Sequence, residues 1–162
     1  MQLKGLIHTF PGHVKWFIAA FVIVLSVGFF TGLLFVSHAE SVYPDGIEEN
    51  YLGNENMEPV VIMKFKKSER EMLTTIHTHI LSMSFIFFLL GGLIAITSLS
   101  NKLKAFLIIE PFLSILLTFG GIYLMWKGIL WMKYVVMISG CLMTAVFVFG
   151  AGAVLFQLTK KQ

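Results

Sequence analysis

The strongest structural signal in the chain is the stretch from Lys67 to Ser98, KSEREMLTTIHTHILSMSFIFFLLGGLIAITS. It opens with Ser68-Glu-Arg-Glu71, a capping box in which the serine hydroxyl and the glutamate carboxylate each accept a hydrogen bond from the other residue's backbone amide. An apolar run at about residues 76–99 follows without a break, and a bilayer-spanning helix needs about 20 such residues. The pattern predicts a helix that begins about two turns before the membrane and then crosses it.

Three further runs, at about residues 14–36, 105–125 and 129–158, are similarly long and apolar. The chain is 57% hydrophobic and 13% charged, with a mean hydropathy of +0.84, whereas about a quarter of the residues of a soluble domain are charged. The runs do not alternate as the strands of a membrane barrel do. We therefore predict an all-α integral membrane protein in which residues 1–162 form a single membrane domain, an antiparallel bundle of four transmembrane helices.

The polar segment at about residues 39–67 is predicted to be one extramembrane loop between the first and second transmembrane helices. Eight of the nine acidic residues lie between Glu40 and Glu71. Pro44-Asp45-Gly46 predicts a turn, and residues 60–63 suit either a short strand or a stretch lying on the membrane surface. We expect the loop to cover the outer ends of the helices, although a loop this long on a small bundle often carries function.

The distribution of charge is typical of a protein in a lipid environment, but it does not determine the orientation of the chain in the membrane. The net charge is +3, and the basic residues sit at the ends of the spans, so we expect the lipid bilayer rather than nucleic acid as a partner. The basic residues divide equally between the two sides of the membrane, so the positive-inside rule does not decide the orientation of the chain. Short termini and a short basic turn at residues 98–104 are typical of cytoplasmic segments. We expect cytoplasmic termini and a location in the bacterial inner membrane.

Three histidines lie near one membrane surface, where a titratable group needs a reason. His38 ends the first span, and His77 and His79 begin the second. Residues two apart point in nearly opposite directions on a helix, and the face of His77 carries small residues. We therefore expect His77 to face the bundle and His79 to face lipid. Facing imidazoles of His38 and His77 suit a b-type haem for electron transfer, with a quinol or another electron carrier as partner.

The same histidines allow two alternatives. His38, His77 and His79 are suitable ligands for copper or zinc. In the second alternative, the histidines are ordinary interfacial residues that bond to nearby backbone. The protein is then a non-catalytic accessory or assembly subunit of a larger membrane complex. The chain has one cysteine, Cys141, which excludes chemistry that needs a cysteine pair. No nucleophile–base pair or phosphate loop is present, so we expect no autonomous catalytic activity.

Glu110 is the acidic residue inside a predicted span, and Pro111 follows it directly. A carboxyl group there is a candidate proton or quinone site, and Ser114 shares its helix face. The alternative is a first-turn glutamate that favours the helix dipole, with Pro111 as an early-turn residue. Glu110 lies toward the opposite membrane surface from the histidines, so the two do not form one site.

Overall fold

A computed structural model describes residues 5–38, 42–55 and 62–160, and it confirms an all-α fold with four long apolar helices. A short 3-10 turn, Leu6–Thr9, comes first. The α-helices are α1 (Gly12–His38), α2 (Pro44–Leu52), α3 (Glu69–Ala95), α4 (Asn101–Trp126) and α5 (Met132–Thr159). By length and composition α1, α3, α4 and α5 can cross a membrane. Each is about 40 Å long at 1.5 Å per residue, so each exceeds a hydrocarbon core of about 30 Å and extends beyond it or tilts.

Three of the long helices form the core, and the fourth lies at its edge. The closest pairings are α4 with α5 and α3 with α4, whereas α1 packs mainly against α5. The junction is aromatic: Phe29 of α1 stacks on Phe147 of α5 with the ring centroids 3.8 Å apart. Phe87 of α3 meets Phe147 edge-on at 6.1 Å. In the most apolar part of each helix, half of α4 is buried (50%) but only 17% of α1.

Two glycines allow the core helices to approach closely. A Cβ atom added at Gly121 of α4 would lie 2.9 Å from the Val136 side chain of α5. One added at Gly150 of α5 would lie 2.8 Å from the Ile94 side chain of α3. Small residues at such contacts let helix backbones pack tightly in lipid. Gly121 and Gly150 therefore allow the close packing of α4 on α5 and of α3 on α5.

The predicted capping box of α3 is confirmed. The amide of Glu71 donates to Ser68 Oγ (3.3 Å), and the amide of Ser68 donates to Glu71 Oε2 (2.7 Å). The other end of α3 is at Ala95, earlier than the predicted boundary at residue 99. There the N-terminal segment supplies donors, because Gly5 N bonds to Thr97 O and Ile7 N bonds to Ile96 O, at 3.1 and 3.2 Å.

We call this end of the bundle, where Gly5, Ile7 and Gln157 meet the α3–α4 connection, the terminal side. The opposite end, which carries α2, is the loop side. The turn prediction at Pro44-Asp45-Gly46 is wrong, because these residues form the first turn of α2, where a proline without an N–H is well tolerated. α2 packs across α4 and α5 with Ile47 buried. The Lys133 ammonium contacts Asp45 and Glu48 at 2.8 and 2.7 Å.

The loop thus covers the loop-side ends of α4 and α5, as expected. Lys67 also takes part, because Trp126 Nε1 donates to its carbonyl at 2.9 Å. Of the stretch predicted as a strand or surface segment, Val60 and Val61 lie outside the described residues. Ile62 and Met63 are exposed and belong to no strand.

Candidate functional site

Glu110 lies deep inside the bundle. Ser100 caps α4, with its hydroxyl accepting from Leu103 N at 3.4 Å, so the helix begins at Asn101. Glu110 is nine residues further on, about 14 Å along a helix that rises 1.5 Å per residue, and hence about a third of the way along it and beyond its first turns. The alternative of a first-turn glutamate followed by an early-turn proline is therefore wrong.

The Glu110 carboxyl group is only half satisfied. The residue is 8% exposed. The Ser114 hydroxyl donates to Oε1 of Glu110, whereas Oε2 is buried and has no hydrogen-bond partner among the described residues. A carboxylate ion is very costly to bury without a compensating charge or donor. Oε2 of Glu110 therefore lacks one hydrogen-bond donor within the described part of the chain.

A second acceptor lies on the same helical turn. Proline has no backbone N–H, so Pro111 cannot donate to the carbonyl of Leu107, its normal partner four residues earlier. Leu107 is itself buried. In membrane helices such freed carbonyls are satisfied by side chains, neighbouring helices or ordered water. On the same stretch of α4, one backbone carbonyl therefore lacks its usual amide donor, and one carboxyl oxygen of Glu110 lacks any described partner.

Polar side chains continue along the same face of α4. Glu110, Ser114 and Thr118 recur every fourth residue and are all buried. Thr118 Oγ1 lies 2.7 Å from Ser139 Oγ of α5, and Ser139 Oγ donates to Val135 O at 2.7 Å, so the threonine is the donor between the two hydroxyls. Sequence analysis found Glu110 and Ser114 but missed Thr118 and Ser139. The spacing of four residues was the signal that would have revealed Thr118.

The terminal side of α4 carries a buried cation. Lys104 is 8% exposed, and its ammonium group donates to Ala95 O, at the C-terminal end of α3, at 2.8 Å. A cation is favourable there because helix C-terminal carbonyls are partly negative. Nearby, the buried side chain of Gln157 accepts from both the amide and the hydroxyl of Ser98, at 2.7 and 3.0 Å. Polar contacts therefore hold the α3–α4 connection against both neighbouring helices.

The prediction that His77 faces the bundle is wrong, because His77 is exposed. His79, predicted to face lipid, is exposed as well, although its ring lies 5.1 Å from that of Phe119 on α4. The Nδ1 atom of His79 bonds to Thr75 O at 2.8 Å. The inward face of α3 is filled by large side chains rather than by the small ones on the His77 face. Its buried large residues are Met72, Phe87, Leu90 and Ile94.

His38 lies on the loop side and lines a cleft of about 380 Å³ together with Lys64, Lys66, Lys67 and Glu71. Its Nδ1 bonds to Leu34 O at 2.9 Å. Neither of the α3 histidines lines this cleft. Over residues 5–38, 42–55 and 62–160 no three His, Cys, Asp or Glu side chains are grouped as metal ligands would be. The assignment of His38, His77 and His79 as haem or metal ligands stays a prediction.

Comparison with known proteins places this fold in a family. Residues 41–162 match the family model Aq_1264_TM, described as a transmembrane helical domain. The chain belongs to the Aq_1264_TM family. No curated protein and no solved structure matches it. The Aq_1264_TM domain contains α2 to α5, and with them the whole polar face from Lys104 to Thr118, whereas α1 lies outside the matched residues.

Proposed function

We propose that the protein is a non-catalytic subunit of a larger membrane complex and that α1 docks on a transmembrane helix of another subunit. The supporting observation is the glycine pair Gly28 and Gly32, one helical turn apart on α1. Both are exposed, and a Cβ atom added at either would meet no atom within 4 Å. Bare glycine pairs of this spacing let a second helix backbone approach closely. In this proposal the complex lies in a bacterial inner membrane and the chain termini face the cytoplasm.

The face that carries these glycines is apolar and points away from the core. Phe17, Val24 and Phe35 share it, and they are exposed by 73%, 71% and 76%. The buried stripe of α1 lies about 100° further round the helix, because consecutive residues are separated by that angle. Its members are Ile18, Val22 and Phe29. α1 therefore uses one stripe within the chain and has a second, glycine-containing stripe for a partner.

The other glycines of the long helices differ from the pair on α1 in their coverage or in their spacing. Gly121 and Gly150 are already covered by side chains of neighbouring helices. Five other glycines in the long helices are open, but none lies four residues from another open glycine: Gly12, Gly92, Gly120, Gly140 and Gly152. Within the described ranges, the open pair therefore occurs on the helix that lies outside the family domain. This favours α1 as the element that attaches the domain to a partner.

The test compares Gly28→Leu/Gly32→Leu with Gly92→Leu/Gly152→Leu, a control at two open glycines elsewhere. Full-length proteins are expressed in membranes of the native host and extracted in mild detergent. We expect the wild type and the control to migrate with a larger assembly that contains a different polypeptide, and the α1 variant to migrate alone. Migration of the wild type as a single chain or as a homodimer would contradict the proposal, and so would an α1 variant that keeps its partner.

The competing candidate is a b-type haem protein. One observation favours it: His38 lines the loop-side cleft, and the neighbouring lysines would suit the carboxylates of a haem. Since His77 does not line that cleft, one histidine ligand from this chain would be available there. A copper or zinc function would use the same side chain. A quinol or a soluble electron carrier would then be the partner.

Absorption spectra and elemental analysis of the purified protein separate these candidates. The haem candidate predicts a Soret band that shifts on reduction with dithionite and is lost in His38→Ala. The metal candidate predicts stoichiometric copper or zinc without that band. A colourless, metal-free protein that remains so after incubation with haem excludes both and leaves the subunit proposal standing.

A further inference from the structure

We propose that Glu110 is an exchangeable proton site inside the bundle, with access from the terminal side. The proposal rests on the half-satisfied carboxyl group, which is separate from the docking face of α1. In the protonated state the carboxyl O–H supplies the hydrogen that the unpaired oxygen lacks. On release, the proton passes to water from the terminal side and leaves the carboxylate, to which the Ser114 hydroxyl continues to donate.

The local chemistry favours a hydrogen at this position. Oε2 of Glu110 and the freed carbonyl of Leu107 are both acceptors, and two acceptors cannot satisfy each other. A proton on the carboxyl group, or a water molecule, provides the donor that Oε2 lacks. The carboxylate form has the Ser114 hydroxyl as its donor. In both states the Ser114 hydroxyl can donate to Oε1, whereas the unpartnered Oε2 favours the state that carries the proton.

The direction of access follows from what lies on either side along α4. Toward the terminal side, Lys104 is six residues away, about 9 Å along the axis, and the Leu107 carbonyl lies between. Toward the loop side the polar face ends at Thr118. The buried positions beyond it are Phe119, Gly121, Ile122 and Met125, which carry no polar side chain, and then Trp126 at the end of the helix. A proton is far more costly to move through the apolar layers than along the polar ones. The site therefore communicates with the terminal side.

Within the part of the chain that the structure describes, no acidic or basic side chain of a neighbouring helix lies at the depth of Glu110. Thr118 pairs with Ser139 across the antiparallel α4–α5 contact, which places Glu110 opposite Phe147. Gly91 of α3 lies against Ile108, which places Glu110 close to the level of Leu89. The titratable residues of the elements packed against α4 lie further along their helices or on the loop side. In α3 they are Glu69, Arg70, Glu71, His77 and His79; in α5 Lys133, Tyr134 and Cys141; and in α2 Asp45, Glu48, Glu49 and Tyr51.

Infrared difference spectroscopy of the full-length protein in lipid nanodiscs tests the proposal directly. We expect a carboxylic-acid carbonyl band that shifts to lower frequency in D₂O and is absent in Glu110→Gln. Ser114→Ala should shift this band to higher frequency, because Oε1 loses its hydrogen-bond donor. Glu69→Gln is the matched control, because that carboxyl group is exposed and pairs with Lys127 outside the core. It should leave the band unchanged.

Two results would overturn the proposal. One is the absence of any band sensitive to Glu110→Gln, which would make the group a permanent carboxylate. The other is a band that does not shift in D₂O, which would make it a static structural acid. If Glu110→Gln does not fold, Ser114→Ala decides: a band insensitive to that change does not come from Glu110.

Discussion

α1 and α5 are both long apolar helices, yet the chain uses their glycines in opposite ways. Gly150 of α5 lies under the side chains of Ile94 and Leu90, so it sets how closely α3 and α5 approach. Gly28 and Gly32 of α1 touch nothing described. The difference shows that hydropathy alone does not separate a core helix from a peripheral one, because lipid and protein interior are equally apolar. What separates them is that a neighbouring helix covers one glycine of α5, Gly150, and neither glycine of the pair on α1.

The largest effect is expected at the aromatic junction that joins the two regions. Phe147→Ala removes a fully buried ring that both α1 and α3 contact, and large-to-small changes of this kind cost about 3–5 kcal/mol. Phe29→Ala removes the other ring of the stack, on the peripheral helix, and should cost less. Reversible unfolding in mixed detergent measures both. Equal losses would mean that α1 is as much a part of the core as α5.

The next effect concerns the covered glycine itself. Gly150→Leu forces α3 and α5 apart, and overpacking a well-filled interior costs about 1–3 kcal/mol. Gly152→Leu, on the same helix but with open space around it, should change the free energy of unfolding little. The same unfolding experiment provides the comparison. A tolerant Gly150 would show that Ile94 moves aside and that the close approach is not required.

A smaller effect is expected from the hydroxyl pair inside the core. The coupling between Thr118 and Ser139, taken from the double-mutant cycle of Thr118→Val and Ser139→Ala, should be about 0.6 kcal/mol, the average for side-chain hydrogen bonds between membrane helices. The same cycle between Thr31 of α1 and Ser139 should give no coupling, since Thr31 bonds within its own helix. A Thr118–Ser139 coupling energy near zero would show that this hydrogen bond does not stabilise the contact between α4 and α5.

The smallest effect is a pH dependence in α2. Burial raises the pKa of the Tyr51 hydroxyl above its usual value of 10.0. The folded state then holds this proton more tightly than the unfolded state, so its contribution is complete below pH 10 and is lost as pH rises through the folded-state pKa. Tyr51→Phe should reduce the alkaline loss of stability, measured by thermal unfolding, and Tyr43→Phe at an exposed position should not. An unchanged alkaline limb in Tyr51→Phe would contradict this.

Length and composition were sufficient to predict four helices and the all-α membrane class, and the capping box at Ser68 correctly located the start of α3. The facing of α3 could not be predicted in the same way, because its lipid and core faces are both apolar and the bulky core side chains resemble lipid-facing ones. α2 was missed because Pro44 and Gly46 are typical of turns as well as of helix starts. The polar face of α4 was partly predicted: Glu110 was identified by its charge, but its distance from the helix start depended on the Ser100 cap.

The bonds that Gly5 and Ile7 make to Thr97 and Ile96 also constrain how the protein is made. About 90 residues separate donors and acceptors in the chain, which corresponds to roughly 5–20 s of synthesis at ribosomal rates. During that interval α1 is already available for membrane insertion, while the N-terminal segment has no partner. Gly5 and Ile7 therefore leave the ribosome well before their partners, and they close the terminal side only after α3 has been completed.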